Sequence, residues 1–282
     1  MPHRHREERI GATGRTGIAA AMVAAMVVLT LAGAARSTDH RQVYLQFNVC
    51  GNACSNGALG VVGELVGWIN RRRPFAVTLN EVCENQYARL RADLRAYDGR
   101  FDATARCRNG ARYGNAVLVR APVDLVGSWE LPNPSGDEPR RLMCLSTRTA
   151  LVVCVVHISN YTGNIATQVS AVAGYVGPLA VDRAVLVGGD FNTNPADPRL
   201  DPMYRACDAR GGFHEVDASG CGGRSLLNHA ADGDVINQGT YRQDKYDYIF
   251  LSHGDWISYE ADAADANGFS DHDALWATAA TR

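Results

Sequence analysis

Ala184-Val-Leu-Val-Gly-Gly-Asp190-Phe-Asn192-Thr-Asn-Pro195 joins an apolar run to a polar end. The first four residues are apolar and two are β-branched, which predicts a buried strand, while Gly-Gly, Asn and Pro predict its sharp end. The strand delivers Asp190, and Asn192 follows two positions later. A carboxylate and an amide at this spacing suit Mg²⁺ binding or the orientation of a water molecule, although a Gly-Asp pair also occurs in ordinary turns.

Other polar residues lie at the ends of predicted strands, or in the loop before one. The strands are predicted at residues 43–49, 74–79, 101–105, 115–119, 142–146, 150–158, 246–251 and 274–279, and the polar residues are Asn48, Glu81, His157, Asp247, Asp271 and His272. Singly, each has a structural explanation: Glu81 could stabilise a helix start, and His157 could simply end a buried strand. If the strand ends meet, two histidines and several carboxylates share one cleft.

The order of the predicted elements indicates the fold class. Apolar positions at helical spacing predict helices at residues 60–70, 85–96 and 164–179, and residues 197–237 predict loops with a short helix around 202–209. Helices therefore alternate with strands in some stretches, whereas strands follow strands in others. This arrangement predicts an α+β or mixed sandwich fold.

The N-terminal residues have the pattern of a secretory signal peptide. Four arginines precede an apolar run at residues 18–31, and Ala32-Gly33-Ala34 fits a cleavage site. We expect a signal peptide at residues 1–35, a short linker at 36–42 and one domain at 43–282, and hence a secreted protein. A retained membrane anchor is the alternative, because residues 18–35 are nearly long enough to span a bilayer.

Charge and cysteine content narrow the class of protein. A formal net charge of −2 excludes a strongly basic, histone-like nucleic-acid binder, although a local basic groove is compatible with it. Eight cysteines in an exported chain predict four disulfides, and the lack of a Cys-x-x-Cys pair argues against the alternative of a zinc site. We expect the pairs Cys144–Cys154, on adjacent strands, and Cys207–Cys221, around a glycine-rich loop, with Cys50–Cys54 and Cys83–Cys107 completing the set.

Seven short motifs, taken in order, resemble the endonuclease/exonuclease/phosphatase superfamily, the DNase I-like group, over residues 43–282. They are Gln46-Phe-Asn48-Val, Leu79-Asn-Glu81-Val, Gly114-Asn-Ala-Val-Leu118, Val156-His157-Ile, Gly189-Asp190-Phe-Asn192, Asp247-Tyr-Ile-Phe250 and Ser270-Asp271-His272. Any one motif is weak, but seven in sequence order are specific. The resemblance implies a secreted bacterial member with an α/β (α+β) four-layer sandwich, in which two packed mixed β-sheets are flanked by helices.

The resemblance also implies metal-dependent phosphodiester hydrolysis. Glu81 would hold Mg²⁺, or Mn²⁺ or Ca²⁺, with Asn48 and Asp271 on the metal side. Asp190 and Asn192 would orient the attacking water and the phosphate, and His157 and His272, the latter held by Asp247, would act as general acid/base groups or as donors to the phosphate. The sequence departs from the family at Asn80, where a Gln is usual, and no motif fixes a carboxylate partner for His157; Glu138 is a weak candidate.

A secreted DNase I-like nuclease is therefore the leading hypothesis, acting as a monomer on a nucleic acid without an obligate protein partner. A sphingomyelinase-like or other phosphoesterase of the same fold is an alternative. It would need exposed aromatics for membrane contact, and the nearest candidate, Trp129, is predicted to pack within a loop. A binding module that keeps the fold without catalysis is the alternative from another class, disfavoured because all the motif positions hold chemically competent residues.

Overall fold

A computed structural model of the chain describes residues 41–204, 212–218 and 237–282. The predicted signal peptide and the predicted Cys207–Cys221 pair lie outside these residues. Within them, no helix has the length and apolar character needed to cross a membrane.

The first β-sheet is built from both ends of the described chain. Its six strands, in spatial order, are β11 (Trp256–Ala264), β12 (Ala274–Thr281), β1 (Arg41–Asn48), β2 (Ala76–Cys83), β4 (Arg112–Val119) and β3 (Asp98–Arg106). β1 and β2 run parallel, and the other neighbours run antiparallel. The final strand therefore lies inside this sheet, between β1 and β11.

The second sheet comes from the middle of the chain. Its spatial order is β5 (Val123–Glu130), β6 (Arg141–Thr147), β7 (Leu151–His157), β8 (Ala184–Asp190), β10 (Asp247–Ser252) and β9 (Phe213–Glu215). Only β7 and β8 are parallel neighbours. Both sheets are thus mixed, as predicted.

Helices cover the outer face of each sheet. The α-helices are α1 (Gly60–Arg72), α2 (Glu84–Asp93), α3 (Thr162–Leu179) and the short α4 (Asp201–Tyr204), which follows a 3₁₀ turn at Pro198–Leu200. One apolar cluster joins α1 and α2 to the first sheet, a second joins α3 to the second sheet, and a third lies between the sheets. The four-layer sandwich that the family resemblance implied is confirmed.

The Gly188-Gly189 pair is placed differently from the prediction. Rather than ending the strand, both glycines lie within β8, which continues to Asp190. A Cβ at Gly188 would lie 2.1 Å from the Thr78 hydroxyl of the other sheet, and one at Gly189 would lie 2.2 Å from the Val156 carbonyl oxygen. The glycines are needed because the two sheets and the neighbouring strand approach closely there.

The cysteine prediction holds for all six described cysteines. They form the disulfides Cys50–Cys54, Cys83–Cys107 and Cys144–Cys154. The last pair joins directly opposite residues of β6 and β7. These three bonds leave none of the six as a thiolate ligand for zinc.

Candidate active site

Strand pairing brings the predicted polar residues to one end of the sandwich. In the second sheet, His157 and Asp190 are directly opposite on parallel β7 and β8, and Asp247, which begins antiparallel β10, is also opposite Asp190. In the first sheet, Asn48 ends β1 beside β2, which carries Glu81. The site therefore lies where the ends of the two sheets meet.

Asp190 is at the centre of this group, with an exposed fraction of 1%. Its Oδ1 accepts the Asn192 backbone N–H at 2.9 Å, and its Oδ2 accepts the Asn48 amide at 3.0 Å. The same Oδ2 lies 3.5 Å from Nε2 of His157 and 3.7 Å from Nε2 of His272. Two imidazole rings thus face one carboxylate oxygen.

The buried charges shift the pKa values of this group in opposite directions. Burial and the nearby Asp247 carboxylate raise the pKa of Asp190 to about 7. Burial disfavours the charged form of His272, but the Asp247 carboxylate, 2.7 Å from its Nδ1, outweighs this and raises the pKa of His272 to about 9. The second histidine differs: burial, followed by the charges of Arg140 and His272, lowers the pKa of His157 well below its usual value.

The amide of Asn48 points its nitrogen into the site. Its Oδ1 accepts the Cys50 backbone N–H at 3.0 Å, which fixes the amide orientation. Its Nδ2 then donates to Asp190 Oδ2 and, at 3.3 Å, to Glu81 Oε1. An amide nitrogen is not a metal ligand, so this geometry fits Asn48 to orienting the two carboxylates rather than to direct coordination.

Glu81 lies on an irregular part of β2. The register with β4 shifts between Leu79 and Val82, and Glu81 has a φ of +58°, an unfavourable backbone conformation for a residue with a side chain. Its carbonyl oxygen accepts the Gly51 N–H at 2.9 Å, which helps to hold this bulge. The side chain is 21% exposed and lies beside the His157 ring. A partly exposed carboxylate whose neighbours are donors is a suitable oxygen ligand for a divalent cation.

Asp271 is exposed, and within the described parts of the chain it has no hydrogen bond to the other site residues. Its carboxylate lies within 4.8 Å of the sulfurs of Cys50 and Cys54. Those sulfurs are joined in a disulfide, so this trio is not a metal site. Asp271 does act on the site through its charge, which contributes to the raised pKa of His272.

A network of hydrogen-bonded side-chain amides is buried next to the site. The sequence did not indicate this network. Oδ1 of Asn80 accepts Nε2 of Gln46 at 2.7 Å and the Asp190 N–H at 2.9 Å, while its Nδ2 donates to Oδ1 of Asn115 at 3.0 Å and to the Val156 carbonyl at 2.9 Å. The shorter side chain at position 80 therefore links the two sheets and makes four hydrogen bonds.

In the structure, His157 contacts Arg140 and not Glu138, the partner suggested from the sequence. Glu138 does not contact the ring directly; it pairs with Arg140, whose Nη1 lies 3.1 Å from Glu138 Oε1 and 2.9 Å from Nδ1 of His157. Sequence reasoning missed Arg140 because it precedes β6 outside any recognisable motif. A basic residue just before a strand that enters the site would have been the only signal.

Comparison with solved structures shows the same fold in several proteins. The catalytic domain of human Nocturnin with a bound sulfate anion has a TM-score of 0.63 and 17% identity, covering 86% of this chain and 95% of that one. The endonuclease/exonuclease/phosphatase from Bacteroides vulgatus has a TM-score of 0.62 and 16% identity, covering 86% and 99%. D. rerio TDP2 complexed with single-strand DNA product has a TM-score of 0.60 and 16% identity, covering 85% and 99%.

No curated protein sequence matches the chain significantly. The family model described as "Endonuclease/Exonuclease/phosphatase family" matches residues 45–272, which include all the site residues described above. The DNase I-like sandwich, the site at the meeting of its two sheets and this match together show that the chain belongs to the endonuclease/exonuclease/phosphatase family.

Proposed function

We propose that this protein is a secreted, metal-dependent phosphodiesterase and that its main substrate is a nucleic acid. The observation that carries the proposal is the convergence of His157 and His272 on Asp190 Oδ2, beside the carboxylate of Glu81. Hydrolysis of a phosphodiester requires an oriented water, neutralisation of charge on the phosphate and a proton for the leaving oxygen. This group of residues can supply each of them.

Asp190 and His272 divide the proton transfers in this proposal. Asp190, with a pKa of about 7, can accept a proton from the attacking water as that oxygen bonds to phosphorus. His272, with a pKa of about 9, is protonated at neutral pH and can donate a proton to the leaving oxygen as its bond to phosphorus breaks. Asn192, whose backbone N–H donates to Asp190 at 2.9 Å and whose amide lies 3.2 Å from Nε2 of His157, would help to position the phosphate.

Glu81 is the residue best suited to hold the cation, most favourably Mg²⁺, and Asp271 is the second candidate at the exposed edge. Such a cation would supply charge neutralisation at the phosphate. Asn48 would keep the Glu81 carboxylate aimed into the cleft through its amide nitrogen.

Secretion is supported by the sequence of residues 1–35 together with the three disulfides, since disulfides persist mainly in oxidising compartments. We expect the mature protein to begin near Ala35 or Arg36 and to be found in the medium. N-terminal sequencing tests this: a chain beginning at Met1 or Pro2 in the membrane fraction would favour a retained anchor.

The nucleic-acid substrate is suggested by the family and by the similarity of the fold to D. rerio TDP2, which was solved with a single-strand DNA product. A panel of bis-p-nitrophenyl phosphate, plasmid DNA, RNA and sphingomyelin, each with and without Mg²⁺, tests it. We expect chelator-sensitive cleavage of DNA or RNA that is lost in His272→Ala. Preferential cleavage of sphingomyelin would favour the lipid-directed alternative, and inactivity on every substrate would favour a binding module.

A further inference from the structure

Arg140 and His157 form a buried pair at the floor of the site. The Arg140 side chain is 7% exposed and the His157 side chain 4%. Nη1 of Arg140 lies 2.9 Å from Nδ1 of His157, whereas the other histidine, His272, has the Asp247 carboxylate at its Nδ1. The two rings therefore have partners of opposite hydrogen-bonding character.

A guanidinium carries five N–H donors and no acceptor, so it can only donate to the imidazole. Nδ1 of His157 must then present its lone pair, and the hydrogen of the neutral ring must be on Nε2. The reverse tautomer would set two donors against each other at 2.9 Å in a place closed to water, where unmet hydrogen-bonding groups are costly.

The other side of the ring faces one donor and two carboxylates. Asn192 Nδ2 lies 3.2 Å from Nε2 and is itself a donor, since it donates to the Ile158 carbonyl. The carboxylate oxygens nearest to Nε2 are Asp190 Oδ2, at 3.5 Å, and Glu81 Oε1, at 4.0 Å, both farther away than this amide nitrogen. Each ring nitrogen therefore faces a donor, but the donor at Nδ1 is the charged guanidinium and is closer, at 2.9 Å, while the two carboxylates lie on the Nε2 side. This difference favours the hydrogen on Nε2.

We propose that Arg140 is a positioning residue that fixes His157 as the Nε2–H tautomer, so that His157 serves the reaction as a hydrogen-bond donor to the phosphate. The role at the phosphate rests on the proposed function, but the tautomer does not. In this arrangement the two histidines do different work: His272 transfers the proton, and His157 stabilises charge that develops on a phosphoryl oxygen.

The tautomer can be measured without any substrate. Long-range ¹H–¹⁵N spectra of protein labelled with [¹⁵N]histidine distinguish an N–H from a bare ring nitrogen, and the signals that vanish in His157→Gln identify this ring. We expect Nε2 of His157 to carry the hydrogen and Nδ1 to be bare. A protonated Nδ1 with a bare Nε2 would overturn the assignment, even if the enzyme is fully active.

Variants at position 140 test the link to Arg140. Arg140→Lys keeps a donor-only side chain and should keep the wild-type nitrogen pattern, whereas Arg140→Gln offers an acceptor and should allow Nδ1–H. The neighbouring Arg141→Gln is the matched control, because Arg141 pairs with Asp102 and Ser128 instead of His157. An unchanged pattern in folded Arg140→Gln would show that Arg140 does not select the tautomer. If this variant does not fold, the wild-type spectrum still tests the tautomer, and a changed pattern in Arg140→Lys would contradict its selection by a donor-only side chain.

Activity then tests the role at the phosphate. Where the tautomer of a catalytic histidine is wrong, kcat falls by up to about 10⁴-fold, so Arg140→Gln should lose about 10²–10⁴-fold in kcat with little change in KM. His157→Gln retains an amide donor and should be more active than His157→Ala. Equal activity of these two variants would contradict the donor role. A protein inactive on all phosphodiesters, but with Nε2–H at His157, would refute the proposed function and leave the tautomer assignment intact.

Discussion

Oδ2 of Asp247 lies 2.7 Å from Nδ1 of His272, and Asp247 is fully buried beneath the ring. The carboxylate stabilises the protonated ring enough to overcome the effect of burial. Its other oxygen, Oδ1, accepts Nε2 of Gln46 at 3.1 Å, which fixes its orientation across the two sheets.

This pairing predicts how the rate of hydrolysis depends on pH. A reaction that uses protonated His272 should lose rate as the pH rises through about 9. Asp247→Asn can still hold the ring but cannot stabilise its charge, so the loss should begin at lower pH, towards the ordinary histidine pKa of about 6.5. Rates of phosphodiester hydrolysis from pH 5 to 10 would show the shift. Asp262→Asn, at an exposed position of β11, is the control. If the rate of Asp247→Asn falls at the same alkaline pH as the wild-type rate, the role of the pair is contradicted.

Substitution of Glu81 is expected to change the Mg²⁺ requirement of hydrolysis rather than the proton transfer. Glu81→Gln removes one charge from the oxygen ligand, so it should raise the Mg²⁺ concentration for half-maximal activity, and excess Mg²⁺ should partly restore the rate. His272→Ala should lose about 10²–10⁴-fold in rate at every Mg²⁺ concentration. Glu84→Gln is the matched control, because Glu84 is partly exposed and pairs with Arg112. Similar Mg²⁺ curves for wild type and Glu81→Gln would remove Glu81 from the metal site.

Substitution of Asn80 is expected to lower the stability of the protein. Asn80→Asp replaces a donor with a charged acceptor opposite the Val156 carbonyl and Oδ1 of Asn115. The free energy of unfolding should fall by about 2–4 kcal/mol, since buried groups lose their partners and one of them is charged. Chemical denaturation measures it, with Asn109→Asp on an exposed turn as the control. A loss no greater than that of the control would mean that the amide network contributes little.

The cysteines predict an absence of thiols. Unfolded, non-reduced mature protein should show no reactive thiol, because six cysteines are paired in the structure and Cys207 and Cys221 are predicted to pair. A count of two would place the free thiols at that last pair, and a larger count would contradict the bonds described above.

The sequence predicted every interior strand of the two described sheets but only one of their four edge strands, β3. β5, β9 and β11 went unpredicted, and all three are edge strands of their sheets. β5 and β11 are mostly half-buried or exposed, so their sequences show neither an apolar run nor a clean alternation. Trp129 lies on β5, where it stacks on Tyr175 with 5.1 Å between ring centroids, rather than in a loop.

The site residues likewise divide into those that could be predicted from the sequence and those that could not. Residues at the ends of buried strands, such as Asp190 and His157, could be predicted because strand order alone brings them together. The orientation of the Asn48 amide could not, because it depends on one backbone N–H of a turn. Arg140 could not either, since its contact with His157 depends on how the loop before β6 enters the sandwich.

The position of β12 also determines how late in its synthesis the chain can form a complete site. This strand lies between β1 and β11, and the loop just before it carries Asp271 and His272. A nascent chain that has folded its entire second sheet still lacks His272, as well as the strand that completes the first sheet. The ribosome must therefore have synthesised the chain beyond His272 and through β12 before the site is complete, so shorter translation products lack part of the site however well they fold.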